Sequence, residues 1–285
     1  MSGDNRMTTG NAGSTGNMGT TGDGMSGRDR ISDNRLGDGR AGEGGAGDSR
    51  TGGADRGQAA VDALLVATDL RKTYGQTPAL DGAEMTLRAG EVVAVMGPSG
   101  SGKSTLLHCL AGIVQADSGE VRYRGRELST MSDAERSALR RSDFGFVFQF
   151  GQLVPELTCL ENVAMPLRLN GTKRRTAEAA AADWLARLEV DAIAGRRPGE
   201  VSGGQGQRVA VARALVGGPR VVFADEPTGA LDSLNGERVM RLLTEAAHDT
   251  GAAVVLVTHE PRVAAYSDRE IVVRDGKSRD MERVS

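Results

Sequence analysis

An α/β fold built on a mostly parallel sheet is what the sequence predicts from residue 61 onward, and three observations carry that expectation. A β-branched run, Glu91-Val92-Val93-Ala94-Val95-Met96, passes through a glycine-rich loop straight into the apolar helical stretch at residues 106–111. Short apolar runs then alternate with segments of helical period, the pattern of parallel strands joined by crossover helices. Carboxylates and a histidine follow those runs directly, at the strand ends where ligands of an open parallel sheet bind.

The chain has 285 residues, 39% of them hydrophobic, enough for a sizeable core, but the apolar residues are unevenly spread. Residues 1–60 form a tail rich in Gly, Asp, Arg, Asn, Ser and Thr with no aromatic residue, and its charges alternate in sign. Such a segment buries too little apolar surface to offset its ordering entropy, so it is expected to be disordered, with the folded domain at residues 61–280. Within that domain, residues 63–67 and 83–87 read as strands separated by a polar segment containing Gly75 and Pro78, and Gly90 turns the chain into the next strand. Residues 119–123 and 144–148 are further strands. Between them Ser132-Asp133-Ala134-Glu135 opens a helix with a capping-box pattern. Residues 176–190 place Ala177, Ala181, Trp184, Leu185 and Leu188 at helical spacing, with Trp184 expected as a core anchor. A helix over 203–216 precedes the continuous apolar run 221–225, which reads as a strand buried on both faces. Residues 233–248 form another helix, stopped by Gly251, and 253–258 the next buried strand. Residues 270–274 and the Asp275-Gly276 turn close the fold with a hairpin.

Charge and composition narrow the function. With 35 basic and 38 acidic residues the net charge is −3, which does not suggest nucleic acid as a partner. No apolar run approaches the roughly 20 residues that cross a bilayer, so a membrane role is expected to come through a partner chain. Cys109 and Cys159 follow no metal or redox spacing and read as reduced core thiols of a cytosolic protein.

The loop after residue 96 is Gly97-Pro98-Ser99-Gly100-Ser101-Gly102-Lys103-Ser104-Thr105, a P-loop in the strand and helix context that it requires. Its glycines let backbone N–H groups turn inward around a phosphate, and the following helix adds its positive end. Lys103 is expected to reach the β- and γ-phosphates and Ser104 to ligate Mg²⁺, so the chain is expected to bind a nucleoside triphosphate. Asp225, directly after an apolar strand, is placed to hold a water of the Mg²⁺ shell, and Glu226 to polarise the attacking water. His259, at another strand end, is expected to donate to the γ-phosphate, whereas His108 and His248 read as structural or exposed.

Ser202-Gly203-Gly204-Gln205, followed by residues 207–215, resembles the signature segment of ATP-binding-cassette ATPases: a serine hydroxyl and glycine N–H groups at a helix start form an anion site. The other motifs of that family occur in order across residues 64–278. The resemblance implies Tyr74 as the residue stacking on adenine, Gln149 as the glutamine sensing Mg²⁺ and γ-phosphate, Asp225 and Glu226 as the Mg²⁺ aspartate and catalytic glutamate, Asp232 in the cross-dimer loop and His259 as the switch histidine. It further implies a P-loop NTPase core of the ABC-type ATPase, with an antiparallel β subdomain and an α-helical subdomain at about residues 150–205. ATP would be sandwiched between the P-loop of one copy and the signature of a second copy or a related cassette. Two departures stand out: Val201 replaces the usual leucine, and Gly206 replaces a glutamine or glutamate, which is expected to weaken the helix and slow or loosen dimer closure. Residues 148–167 and Pro227-Thr228-Gly229-Ala230-Leu231-Asp232-Ser233 are similar to the subfamily serving lipoprotein release, macrolide and peptide efflux, and cell-division permeases. That implies an ATPase at the inner face of the cell membrane powering export or extraction by a separate permease, whose short helix would be cupped by the apolar stretch around Leu153 and Leu157. The alternative is a regulatory module that signals through a permease-like protein without moving a solute.

Overall fold

The computed structural model describes residues 63–281; the tail expected to be disordered at residues 1–60 lies outside the described residues. β1 (Ala63–Tyr74) and β2 (Thr77–Arg88) form one hairpin, turned by Gly75 at φ 60. The polar segment expected to separate two short strands is therefore itself strand. Register shifts around Leu70 break its alternation, which is why periodicity does not announce it. β3 (Val92–Met96) runs into α1 (Lys103–Leu110), and β4 (Ser118–Tyr123) and β5 (Arg126–Glu127) complete an antiparallel sheet of order β2-β1-β4-β5.

α2 (Asp133–Ser142) starts at Ser132, whose hydroxyl and the Glu135 carboxylate cap each other's backbone as the pattern predicts. β6 (Phe144–Phe148) follows. Then come α3 (Cys159–Leu169), α4 (Arg174–Arg187) and α5 (Gly203–Leu215), the helical subdomain and its exit. β7 (Val221–Asp225), α6 (Ser233–Thr250), β8 (Ala253–Val257), α7 (Pro261–Ala264), β9 (Arg269–Arg274) and β10 (Lys277–Met281) finish the fold. The second sheet has the order β10-β9-β3-β8-β7-β6 and is parallel except for the final hairpin, which turns at Asp275 (φ 50) and Gly276 (φ 74).

β7 and β8 are covered on both faces, which accounts for their continuous apolar runs. On one side Leu106 and Leu107 of α1 pack with Phe223, Val255 and the antiparallel sheet's Leu65 and Leu87. On the other, Val222 and Leu256 pack with Val209 and Leu215 of α5 and Leu243 of α6. Trp184 packs against this second cluster as a core anchor would, but half-buried at its edge, with the Arg187 guanidinium 4.3 Å from its ring centroid.

Candidate active site

The loop leaving β3 follows a path that a side chain at either end would obstruct. A Cβ on Gly97 (φ 148) would sit 2.2 Å from Val273 O, and one on Gly102 (φ 104) 2.2 Å from Ala79 O. The antiparallel hairpin and β9 thus press on the loop from outside and fix its path. Pro98, Ser99 and Gly100 form its exposed crest, and Thr105 enters α1 half-buried. Inside it, Lys103 is buried and donates through Nζ to Gly97 O and Pro98 O, both at 2.9 Å. Ser101 Oγ is buried with no hydrogen-bond partner among the described residues. An unsatisfied hydroxyl and a buried ammonium held, among the described residues, by its own loop's carbonyls fit a cradle made for an anion.

Two strands over, Asp225 ends β7 beside this loop. Ser104 Oγ donates to Asp225 Oδ1 at 3.2 Å, so the hydroxyl and carboxylate that would share Mg²⁺ already stand together, an all-oxygen donor pair of the kind a hard cation takes. Burial pushes the Asp225 carboxyl above its usual range, and the Ser104 hydrogen bond draws it back. Glu226 leaves the strand in the left-handed region (φ 45) and is pinned there by its N–H donating to Val257 O at 2.9 Å. The His259 Nδ1–H donates to Glu226 Oε1 at 3.1 Å, a contact with the carboxylate that the sequence did not foretell.

Gln149 follows β6 and meets this group across Gly229: a Cβ at Gly229 would lie 2.7 Å from Gln149 Nε2 and 3.2 Å from Glu226 Oε2. The absence of a side chain at Gly229 leaves room for the Gln149 and Glu226 side chains to approach, and only this meeting of chain-distant groups reveals it. Tyr74 stands at the hairpin tip, 51% exposed, with Lys72 Nζ over its ring at 5.8 Å from the centroid.

Ser202 caps α5, accepting from Gln205 N at 3.3 Å while Gln205 Oε1 accepts from Ser202 N at 3.0 Å. A Cβ on Gly204 would lie 2.9 Å from Asn235 Oδ1 of α6, so a side chain there would displace the Asn235 amide. Asp232 caps α6, accepting from Asn235 N at 3.0 Å and Nδ2 at 2.7 Å. Among the described residues, no hydrogen bond joins Ser202–Gln205 to the P-loop at residues 97–105. Lys103, Ser104, Asp225, Glu226, His259 and Gln149 converge; the exposed Ser202 and Gly203 stand apart from them.

His108 is half-buried and His248 exposed, and Cys109 and Cys159 are buried free thiols, as read. Among the described residues no helix is long and apolar enough to cross a membrane. A groove of about 370 Å³ lies between β6 and α3, lined by Phe144, Phe146, Phe148, Met165 and Leu169 with Arg213 at its wall. Leu153, expected to face a partner, lies half-buried against the helical core, and Leu157 lines a cleft beside Arg174.

The ABC transporter family profile matches residues 80–229. The lipoprotein-releasing system ATP-binding protein LolD of Psychrobacter arcticus is 45% identical over 222 residues, covering 76% of this chain and 98% of that protein. Its counterpart in Shewanella oneidensis is 42% identical over 219 residues, covering 75% and 95%. The dimeric structure of the ATP-binding cassette MJ0796 in a post-hydrolysis state bound to ADP and Pi aligns with a TM-score of 0.73 at 37% identity, over 78% of this chain and 100% of that one. With motifs, fold and coverage in agreement, the chain belongs to the ABC transporter family and is an ATP-binding ATPase subunit of it.

Proposed function

We propose that two copies of the chain, or one copy and a related cassette, close on two ATP molecules, and that this closure drives a separate membrane permease in export or extraction at the inner face of the cell membrane. The lipoprotein-releasing relatives are named for work of that kind. The observation that carries the reading is a half-site. Lys103, Ser104, Asp225 and Glu226 gather at one phosphate cradle, while the anion-binding start of α5 is exposed and unattached to it.

On ATP entry Lys103 exchanges its bonds to Gly97 O and Pro98 O for phosphate oxygens. Ser104 and Asp225, with Gln149, would hold Mg²⁺, which supplies charge neutralisation at the β- and γ-phosphates when bound. Glu226 orients a water and takes its proton as the water oxygen bonds to the γ-phosphorus and the bond to the ADP oxygen breaks. His259 holds Glu226 in place through Nδ1, and Ser202 with the N–H groups of Gly203 and Gly204 caps the γ-phosphate from the opposite copy.

Glu226→Gln puts a carboxamide of the same shape where the carboxylate stood and so removes the base. Incubated with ATP, this variant is expected to elute as a dimer and to hydrolyse at least about 100-fold more slowly than the parent. A monomer that turns over at the parental rate would remove Glu226 from the reaction. The groove between β6 and α3 is the proposed seat of the permease element.

A further inference from the structure

Two side chains of α5 hold the turn that carries Gln149. Gln207, buried, donates through Nε2 to Phe148 O at 2.8 Å, the carbonyl immediately before Gln149. Arg213 donates through Nη2 to Gly151 O at 2.7 Å and through Nη1 to Gln152 O at 2.8 Å, just after it. The backbone is contorted at the Arg213 anchors, with Gly151 at φ 66 and Gln152 at φ 45. A side-chain-bearing residue in that region persists only where its surroundings hold it.

Arg213 is an unusual choice for that task. Among the described residues no carboxylate lies within ion-pair distance of it, and burial pushes its guanidinium pKa down. A cation kept half-buried with main-chain oxygens for partners is costly where an apolar side chain would pack, so its use here is geometric: one planar fork reaches two successive carbonyls. The same helix begins with Ser202 and the glycines of the anion site. Arg213 and Gln152 also form part of the groove wall between β6 and α3.

We propose that Arg213 and Gln207 are positioning residues for ATP hydrolysis: they hang the Gln149 turn on α5, so that the Gln149 amide beside Glu226 and the Ser202–Gln205 anion site move as one body. This rests on the ATPase reading above. A segment seated in the groove would bear directly on the Arg213 fork, and so on both phosphate-facing ends of that body at once.

The test uses the purified full chain with ATP and magnesium, and the variants Arg213→Lys and Gln207→Met, each alone and in a Gln149→Ala background. Lysine keeps the charge but cannot fork across two carbonyls, and methionine keeps the length without a donor. Each variant is expected to lower kcat about tenfold with KM for ATP within about twofold of the parent. Once Gln149 is already alanine, the same substitution is expected to change kcat by less than about twofold, because it acts through that residue. An equal loss in both backgrounds, no loss in either, or unfolding of both variants with loss of ATP binding overturns the proposal. A parent chain whose hydrolysis does not exceed that of Lys103→Ala would overturn the ATPase reading first, and this proposal with it.

Discussion

At the scale of single residues, the phosphate loop is defined by what cannot be added to it. Gly102→Ala puts a methyl group against Ala79 O in a backbone region that alanine avoids. It is expected to lower the unfolding free energy by about 1–3 kcal/mol and to weaken ATP binding, read by urea denaturation and nucleotide titration. Cys109 behaves oppositely, as a group whose surroundings silence it. Burial pushes its thiol from the ordinary 9.0 up to about 11, so the folded chain should resist iodoacetamide at pH 8 and react once unfolded, as mass spectrometry would read. Because the folded thiol ionises above the unfolded one, its contribution to stability is whole below pH 9.0 and is lost as pH rises through about 11. Most residues of the site were legible from sequence, because Lys103, Ser104, Asp225 and Glu226 sit in local patterns whose chemistry demands them. Gly229 and the His259 contact to Glu226 were not: each depends on side chains from separate strands meeting at one point, which no local spacing encodes.

At the scale of elements, the caps were the most readable feature and the breaks the least. Ser132 and Ser202 start α2 and α5 as their sequences announce, whereas α3 hides behind Pro166 within its own span. Pro166 removes one donor from the helix ladder at its last turn, while Thr158 with Glu161 supplies a capping box at the start. Gly206, four residues into α5, has open space around it: a Cβ would meet only Val201 Cγ2 at 3.9 Å. Gly206→Gln is therefore expected to stabilise the chain by up to about 1 kcal/mol and to lengthen the lifetime of the ATP-bound dimer, and an unchanged lifetime would show that the glycine does not loosen closure. In the parallel sheet, Arg269 of β9 ties three elements together, pairing with Glu91 at 2.9 Å and Asp280 at 2.7 Å and donating to Thr86 O at 2.6 Å. Arg269→Met leaves the nearly buried Glu91 carboxylate without that partner, and a loss of about 2–3 kcal/mol in urea denaturation is expected.

At the scale of the whole molecule, the sheet order β10-β9-β3-β8-β7-β6 brings together strand ends that are far apart in sequence. The alternation of strands and helices announced the fold class, but not which strands would be neighbours, since pairing is decided by packing on α1 and α5 rather than by any one segment. The groove between β6 and α3 belongs to this scale. Met165→Asp with Leu169→Asp is expected to reduce co-purification of the permease at least about tenfold while leaving ATP binding to the isolated chain intact, because the groove lies outside the phosphate cradle. Equal recovery of the permease would move the contact elsewhere. The resting arrangement of Lys103 has a further consequence for the order of events. Its ammonium already sits in the loop, occupied by Gly97 O and Pro98 O, so nucleotide capture is a swap of acceptors within a finished mould. Loading and pairing are thereby separable in time: a solitary chain can be charged first, and turnover then waits on an encounter. At dilute protein the hydrolysis rate is expected to scale with the square of its concentration, even when every chain in solution already carries ATP.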